Sequence, residues 1–511
     1  MSHGRAMGWL AARDPDAVAV VHESRQATRG ELERRSNRLA RAYAERGARA
    51  GDLVTIALPN GIEFFEASLA IWKLGATPQP VSHHLPELER RTIVETADPA
   101  LVIGVMEGHY GDRPCLPTGF EPGDAISDAP LPDRVAACVR AMSSGGSTGR
   151  PKIIVETSPA ECDPELAPGL IGLGSRVLAP GPLYHAGPFI CSWQALLAGG
   201  TAITMTRFDP EESLALIEGH RVDYALFVPT MMQRIWRLPE ATRTRYDLSS
   251  LRSVMASGAP SPAWLKRAWI GWLGPERIFE AYGGSERIGG TQITGTEWLE
   301  HPGSVGRPTG GRKLRVLDPR GHELPPGEIG EVFMMPPGGQ GSTYRYIAAE
   351  ARASADGWET LGDMGYLDEE GYLYLVDRKT DMILSGGANV YPAEVEAAID
   401  AHPAVRSSAV IGLPDDDLGQ RVHAIVDAPG GASEDALREH LGEHLLRYKI
   451  PRSFEFVGEP LRDDAGKLRR WALREARSAP NEARSKLEDR EGQRQHLRSQ
   501  IRPQKQKQEQ E

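Results

Sequence analysis

Cysteine is scarce in this sequence, and the few cysteines do not form a motif. The chain has 511 residues and four cysteines, none of them in a C-x-x-C pair: Cys115, Cys138, Cys162 and Cys191. This spacing provides neither a zinc-ligand set nor the disulfide framework of a small secreted domain. We therefore expect free thiols and a cytoplasmic protein.

Long apolar runs and an excess of basic residues are absent as well. The most apolar long stretch, PFICSWQALLAGGTAI (188–203), is too short and too interrupted by polar residues to span a bilayer. The amino-terminal segment has no apolar core after a basic start, so we predict no signal peptide. The net charge of −11 argues against a general nucleic-acid-binding protein.

The remaining composition, 40% apolar and 25% charged, is that of an ordinary globular protein. A chain of 511 residues exceeds one hydrophobic core, so two or three domains are expected. Residues 30–50 place Leu32, Leu39 and Tyr43 on one face of a predicted helix that ends at a glycine. The alternation with strand patterns predicts an α/β core with a largely parallel sheet, which binds ligands at the carboxyl ends of its strands. The other segments of this region are a helix at 62–76, closed at Gly75, and strands at 52–58, 223–230 and 253–260.

The pattern changes after residue 311. Apolar and polar residues alternate around Pro and Gly turns at 313–335 and 365–379, which predicts antiparallel hairpins. A small α+β module follows, with predicted helices at 392–402 and 433–446 and strands at 407–413 and 422–427. We expect a domain boundary near Asp377–Thr380. The predicted domains are an N-terminal domain at 1–377, a C-terminal domain at 378–478, and a charged, Gln-rich, disordered tail at 479–511.

A glycine- and serine-rich loop, MSSGGSTGRPKIIVE (142–156), allows four interpretations. Its residues 145–149 fit G-x-S-x-G, the nucleophile elbow of serine hydrolases, with Ser147 as the nucleophile. An elbow requires a helix after the serine, whereas Gly149 and Pro151 disfavour a helix and the run Ile153–Val155 favours a strand. A P-loop of NTPases needs Lys directly after the last glycine, where Arg150 stands instead.

The third interpretation is a phosphate cradle, and the fourth is a solvated linker. Glycines allow backbone N–H groups to converge on an anion. The hydroxyls of Ser144, Ser147 and Thr148 add donors, and Lys152 adds a positive charge. Taken alone, the loop leaves the cradle and the linker almost equal.

Further segments follow this loop in a fixed order, and their set is specific. They are Pro182–Gly187 (PLYHAG), Ser257–Pro260 (SGAP), Tyr282–Glu286 (YGGSE), Thr360–Asp363 (TLGD), Asp377–Arg378, Ser385–Glu396 (SGGANVYPAEVE) and LRDDAGKLRR at 461–470 with Gly466 and Lys467. Together with SGGSTGRPK (144–152), they resemble the signatures of the adenylate-forming superfamily of acyl-CoA synthetases, peptide-synthetase adenylation domains and luciferases. The resemblance covers roughly residues 10–475.

The resemblance implies both a fold and an activity. The implied fold is α/β, with a large N-terminal domain of mostly parallel sheets flanked by helices and a small β-barrel-like subdomain, followed by a small mobile α+β C-terminal domain. The implied enzyme uses ATP and Mg²⁺ to convert a carboxylic acid to an acyl-adenylate with release of pyrophosphate. It then forms a thioester with CoA.

The resemblance also implies roles for the matching residues around the phosphates. Lys467 would reach the α-phosphate and the substrate carboxylate, with His185 beside the acyl carboxylate. Glu286 would hold Mg²⁺, a hard cation that prefers carboxylate oxygen, and Ser147 would lie at the same metal. The β- and γ-phosphates would lie in the loop formed by Ser144, Gly145, Gly146, Ser147, Thr148, Gly149 and Lys152.

The implied nucleoside site lies nearby, and the implied CoA site lies in the C-terminal module. Tyr282 would stack on adenine, and Asp363, helped by Arg378, would accept from the ribose hydroxyls. The other implied adenylate contacts are Gly258, Ala259, Pro260, Glu280, Gly283 and Ser285, the last as a donor to the α-phosphate. Ser385, Gly386 and Gly387 would line the pantetheine tunnel.

The sequence departs from the family pattern at two places. Thr380 stands at the implied hinge, where the family carries Asp or Lys, and its β-branch stiffens the backbone. Leu461 and Asp463 replace the usual Pro and Thr of the lysine signature, and Asp463 and Asp464 place acid near Lys467.

Several alternatives remain open at the sequence level. The same adenylating core could serve nitrite-dependent diazotisation or the loading of a separate carrier protein, and a homodimer is a further partner to test. PQPVSHHLPELE (78–89) resembles bile-acid CoA ligases in particular. A fit to the H-x-x-E-H metal motif at His440–His444 is interpreted as a coincidence on a solvent-facing helix. The acyl pocket is expected near Gly283–Gly284 and four apolar residues, Phe189, Trp193, Phe227 and Met231. Phe189 and Trp193 equally suit core packing.

Overall fold

The computed structural model describes residues 1–145, 151–167, 169–459, 461–462 and 466–478, with the backbone alone for residues 144 and 145. These residues form two compact units. The first comprises Met1–Thr380 together with Arg462–Lys467, and the second comprises Asp381–Leu461 and the described residues from Leu468 onward.

The helices are, in chain order, α1 His3–Arg13, α2 Arg29–Glu45, α3 Ile62–Lys73, α4 Glu87–Ala97, α5 Ala186–Leu197, α6 Pro210–His220, α7 Pro229–Trp236, α8 Glu240–Arg243, α9 Ala263–Leu273, α10 Gly295–Glu300, α11 Pro392–Asp400, α12 Glu434–His444 and α13 Arg470–Ser478. Two short 3₁₀ helices lie at Pro275–Arg277 and Arg447–Lys449.

The strands are, in chain order, β1 Val18–His22, β2 Arg25–Thr28, β3 Leu53–Ile56, β4 Thr77–Pro80, β5 Leu101–Ile103, β6 Cys115–Leu116, β7 Ala141–Gly145, β8 Pro151–Glu156, β9 Arg176–Leu178, β10 Thr201–Thr204, β11 Tyr224–Phe227, β12 Ser253–Ser257, β13 Ile278–Gly283, β14 Gly290–Thr294, β15 Arg307–Pro308, β16 Lys313–Leu317, β17 Gly330–Met335, β18 Tyr344–Ile347, β19 Glu359–Leu367, β20 Leu373–Arg378, β21 Ile383–Ser385, β22 Ala388–Val390, β23 Ser407–Asp415, β24 Gly419–Asp427 and β25 Ser453–Val457.

Parallel pairing dominates the two large sheets of the first unit. A nine-stranded sheet has the order β15-β14-β13-β12-β11-β9-β10-β1-β2, and its six central strands, β13 to β1, pair in parallel. A second sheet, β4-β3-β5-β6, is parallel throughout. These sheets and their helices confirm the predicted α/β class, because parallel neighbours require crossovers that return the chain to the same edge.

Local sequence explains the helix boundaries. α2 begins at a capping box in which Thr28 and Glu31 satisfy each other's backbone N–H groups. It ends just before Gly47, and α3 ends just before Gly75; both glycines have positive φ, at 99° and 76°. Both helices were predicted from their apolar periodicity, and their ends lie within a few residues of the prediction.

Two antiparallel sheets form the smaller part of the first unit. One is β16-β17-β19-β20 and the other is β18-β8-β7. They share a core in which Ile154, Val332, Met334 and Tyr344 pack together. The hairpins predicted after residue 311 are confirmed, and so is the strand predicted after Pro151.

The second unit contains the helices α11, α12 and α13 and the sheet β22-β21-β24-β23, with β25 paired in parallel to β24. Its core includes Ile383, Val395, Val410 and Leu437, all fully buried. No helix among the described residues is long and apolar enough to cross a membrane.

Candidate active site

The glycine loop after β12 lies beside Tyr282 because β12 and β13 are parallel neighbours. Ser257 stands opposite Ala281 in the register, and its hydroxyl donates to the Ala281 carbonyl at 2.9 Å. Gly258 follows with a φ of +88°, a conformation that favours glycine. The structure therefore brings together, at the carboxyl ends of two strands, the two segments expected to flank adenine.

Tyr282, Asp363 and Arg378 form a second cluster. The Tyr282 hydroxyl donates to Asp363 Oδ2 at 2.6 Å, and Arg378 Nε lies 3.4 Å from Asp363 Oδ1. Asp363 and Arg378 are direct cross-strand partners on β19 and β20. Burial and the Asp363 charge raise the pKa of the Tyr282 phenol well above its ordinary value, so it stays a donor. These three predicted residues meet around one carboxylate.

Glu286 lies nearly buried at the face of the β18-β8-β7 sheet. Its Oε1 accepts from Lys152 Nζ at 3.2 Å and from the Tyr346 hydroxyl at 2.7 Å. Lys152 also donates to the Tyr346 oxygen at 2.7 Å, and its ammonium lies 4.1 Å from the Tyr346 ring centroid. Burial, then the Glu286 carboxylate, raises the pKa of Tyr346. Tyr346 was missed by the sequence reasoning, because its strand β18 pairs with β8 across nearly 200 residues.

His185 stands directly before α5 and is held neutral. Burial and, to a lesser extent, the positive charge of Lys467 together lower its pKa to about 3. Its Nε2 is buried without a hydrogen-bond partner among the described residues. An imidazole nitrogen buried in this way fits a site for a polar group of a substrate.

The lysine segment, Arg462–Lys467, belongs to the first unit. Gly466 has a φ of +72°, and an ideal Cβ there would lie 2.7 Å from Thr230 Oγ1 and 3.2 Å from Val228 Cγ2. Glycine is therefore required where the segment meets the end of β11. The first unit thus brings the charge of Lys467 to the neighbourhood of His185.

Glu280 is paired with a lysine inside the protein. Its carboxylate forms a buried ion pair with Lys266 of α9, whose pKa is lowered chiefly by burial. This lysine satisfies the carboxylate without any nucleotide, because a buried charge requires a close counter-charge. The expected contact of Glu280 with the adenylate stays a prediction.

The apolar residues proposed for the acyl pocket lie in the core. Phe189 and Trp193 are almost fully buried and pack against Trp72, with ring centroids 5.9 and 4.5 Å from it. Phe227 packs against Trp269 at 5.9 Å, and Met231 belongs to the same cluster. For these residues the core-packing interpretation is the one that fits the structure.

The remaining predicted residues fall into two groups. In the second unit, Ser385–Gly387 form the turn between β21 and β22, with φ of 57° and 81° at the two glycines and open space at Gly387. The ring nitrogens of His440 and His444 meet the Ala398 and His440 carbonyls at 2.9 and 2.7 Å. Outside the described residues, or without described side chains, lie Ser144, Gly145, Gly146, Ser147, Thr148, Gly149, Asp463, Asp464 and the tail 479–511.

The donor set around Glu286 fits Mg²⁺. In proteins this ion is usually held by one or two carboxylates and by substrate phosphates, and it needs no dedicated cage of ligands. Within the described ranges no group of three or more His, Cys, Asp or Glu side chains could hold a metal. A single buried carboxylate beside a lysine matches binding of the ion together with a nucleotide.

Comparisons with known proteins agree with this geometry. Residues 8–342 match the family model described as AMP-binding enzyme, and residues 394–467 match that of the AMP-binding enzyme C-terminal domain. A feruloyl-CoA synthase of Amycolatopsis sp is 33% identical over 91% of this chain and 96% of its own length. A 2-succinylbenzoate–CoA ligase of Bacillus licheniformis is 29% identical over 93% and 100%.

Solved structures give the same result. The o-succinylbenzoate CoA synthetase of Bacillus subtilis, in complex with its acyl-adenylate intermediate, superposes with a TM-score of 0.79 at 27% identity, over 94% of this chain and 99% of that one. The same enzyme is also known with ATP and a magnesium ion. These matches confirm the resemblance drawn from the ordered motifs, while the narrower likeness to bile-acid CoA ligases stays a prediction. The chain belongs to the AMP-binding enzyme family, as an AMP-forming acyl-CoA synthetase of the adenylate-forming superfamily that uses ATP, Mg²⁺ and CoA.

Proposed function

We propose that this synthetase acts on an aryl carboxylic acid and that Lys467 and His185 receive its carboxylate. The relatives named above act, by their names, on ferulate and 2-succinylbenzoate, which both contain a benzene ring and a carboxylate. One observation supports this site for the carboxylate: His185 is neutral, its Nε2 has no hydrogen-bond partner among the described residues, and the charge of Lys467 is nearby.

The first half-reaction joins two anions, so it requires charge neutralisation and alignment more than acid–base catalysis. Lys467 neutralises the carboxylate and the α-phosphate, to which Ser285 donates. Asp363 and Tyr282 hold the ribose and adenine, while Gly258–Pro260 pack on the opposite face of the base. Glu286 would hold Mg²⁺, with Ser147 as a further proposed ligand, and the bound ion would neutralise charge on the phosphates that leave as pyrophosphate.

The second half-reaction requires the C-terminal module to change its pose. We place the hinge at Thr380, where the first unit ends and the second begins at Asp381. Rotation there would remove Lys467 and bring the turn Ser385–Gly387 to the pantetheine thiol. The backbone at Gly386 and Gly387 already adopts the left-handed turn that a close approach requires.

A product assay tests this proposal. The enzyme is incubated with ATP, Mg²⁺ and ferulate, 2-succinylbenzoate, a long-chain fatty acid or a steroid acid, with CoA, nitrite or acyl carrier protein as the second reactant. We expect AMP and an acyl-CoA mass from an aryl acid with CoA. Turnover that ignores CoA and requires nitrite or carrier protein would contradict the thioester step for this chain, and fatty or steroid acyl-CoA alone would contradict the aryl assignment.

The cellular setting is part of the same proposal. The four cysteines are free thiols, with Cys115 and Cys191 buried, which suits a reducing cytoplasm. A homodimer remains a prediction, and light scattering of the purified enzyme tests it directly.

A further inference from the structure

The segment Ser285–Arg287 carries two adjacent opposite charges, and one sheet face contacts both. Lys152, Ile154 and Glu156 alternate along β8 and therefore share a face. Their partners on β18 are Tyr346 opposite Ile154 and Tyr344 opposite Glu156. Cross-strand partners share a face, so Lys152, Glu156 and Tyr346 form one surface, which we call the clamp.

The clamp contacts Glu286 near the amino-terminal end of β8, where Lys152 lies. Lys152 and the Tyr346 hydroxyl both reach Glu286 Oε1, at 3.2 and 2.7 Å, and also bond to each other. The Thr343 hydroxyl, just before β18, donates to the Glu286 carbonyl at 2.9 Å. Hydrogen bonds thus hold both the side chain and the backbone of Glu286.

The clamp contacts Arg287 at the opposite end of β8. Glu156 is fully buried and forms ion pairs with Arg287 and with Arg140, the latter at 2.6 Å. Burial lowers the pKa of Arg140 to about 10, so it remains charged at neutral pH. Two guanidinium groups therefore compensate one buried carboxylate, and the Arg287 side chain is held by Glu156.

The backbone between the two contacts is in an uncommon conformation. Arg287 has a φ of +54°, in the left-handed region that a residue other than glycine rarely adopts. Such a conformation persists where its surroundings over-determine it. Here the contacts of Glu286 with Lys152 and Tyr346, and of Arg287 with Glu156, hold the backbone in this conformation. They therefore fix the direction of the Glu286 carboxylate.

We propose that Tyr346 and Arg287 are positioning residues that aim Glu286 at the metal of the nucleotide complex. The inference rests on the proposed role of Glu286. The Tyr346 hydroxyl acts by a hydrogen bond to the carboxylate, and Arg287 acts by its ion pair with Glu156. Neither side chain needs to touch ATP, so their loss weakens the contribution of the metal to nucleotide binding and leaves the nucleoside contacts intact.

Isothermal titration calorimetry of ATP, without acid or CoA, tests this directly. Dissociation constants are measured with Mg²⁺ and with EDTA for the wild type, Tyr346→Phe and Arg287→Gln. We expect the gain in ATP affinity on adding Mg²⁺ to be about tenfold smaller in each variant than in the wild type. This is the size expected for the loss of one hydrogen bond to a charged group. The dissociation constant in EDTA should stay within about twofold of the wild type.

Matched controls are available in the same unit. Tyr366→Phe removes a phenol hydroxyl from β19, where the ring stacks on Tyr374 at 4.8 Å. Arg345→Gln removes a charge from an exposed side chain of β18. Both should keep the full Mg²⁺-dependent gain. Because the side chain of Arg287 is 43% exposed, Arg287→Gln gives the same test if Tyr346→Phe does not fold.

Two results would overturn the proposal. One is an unchanged Mg²⁺-dependent gain in both variants, and the other is an equal loss of affinity with Mg²⁺ and with EDTA. Acid-dependent pyrophosphate exchange by the wild type separates these results from a failure of the proposed function. Exchange can be present while the positioning role is wrong, and the calorimetry does not depend on the identity of the acid.

Discussion

His185 is a neutral histidine beside the charge of Lys467. Because burial lowers its pKa to about 3, it can accept or donate a hydrogen bond but carries no charge toward a carboxylate at neutral pH. We therefore predict that the rate of acid-dependent pyrophosphate exchange shows no ionisation of this residue between pH 5.5 and 7.5. An ionisation near pH 6.5 that disappears in His185→Gln would contradict this prediction.

The same pKa makes stability depend on pH in a defined direction. The unfolded chain binds this proton near pH 6.5, whereas the folded chain binds it only near pH 3. The free energy of unfolding therefore falls as the pH is lowered from 6.5, by about 1.4 kcal/mol per pH unit from this group. Urea unfolding of His185→Gln should show a slope shallower by that amount between pH 6.5 and 5, and an unchanged slope would count against the burial of this ring.

Ser147 is now a proposed phosphate donor, although its loop lies outside the described residues. β7 and β8 on either side pair as an antiparallel hairpin, whereas a nucleophile elbow requires a helix after the serine. Ser147→Ala should weaken ATP handling by a modest factor, about fivefold to tenfold, as for one lost hydrogen bond. Labelling by a fluorophosphonate, or total loss of activity with ATP binding intact, would restore the nucleophile.

At the scale of single residues, the sequence predicted the site residues that belong to ordered motifs. Tyr282, Asp363 and Arg378 meet as expected because motif order and strand register place them together. Tyr346 could not be found, since its role depends on the pairing of β18 with a strand almost 200 positions earlier. The ion pair of Glu280 could not be predicted, because the buried lysine that pairs with it lies on a helix without a motif.

At the scale of elements, α5 shows why apolar periodicity does not separate a pocket from a core. Phe189 and Trp193 lie one helical turn apart, and both pack against Trp72. Phe189→Ala should lower the free energy of unfolding by about 3–5 kcal/mol, the usual cost of a large core cavity. The relative rates with different acids should not change, and an altered acid preference in a stable variant would return Phe189 to the pocket.

Strands and helices themselves were largely predictable. The predicted helix at 30–50 is observed at Arg29–Glu45 because its apolar face, capping box and following glycine agree. The partners of the strands were not predictable, because β8 pairs with β18 across nearly 200 residues and β1 pairs with β10. Such long-range pairing follows from tertiary packing and leaves no local signal.

At the scale of the whole molecule, the two units meet in the sequence at Thr380 and Asp381. The start of a small α+β module after the hairpins indicated a boundary near this point, but the return of Arg462–Lys467 to the first unit left no signal in composition. If rotation at Thr380 is needed, Thr380→Pro should keep pyrophosphate exchange and lose acyl-CoA formation, because proline fixes φ. Thr380→Ser should keep both, and equal losses in both half-reactions for Thr380→Pro would contradict a hinge.

The most direct test of the central claim is exchange of labelled pyrophosphate into ATP in the presence of aryl acids and in the absence of CoA. The wild type should exchange label only when a suitable acid is present, and Lys467→Ala should abolish that exchange, because no other charge is proposed to join the carboxylate to the α-phosphate. Exchange by Lys467→Ala near the wild-type rate would contradict the assignment of the lysine. Acyl-CoA formation by a wild type that shows no exchange with the same acid would contradict the acyl-adenylate route itself.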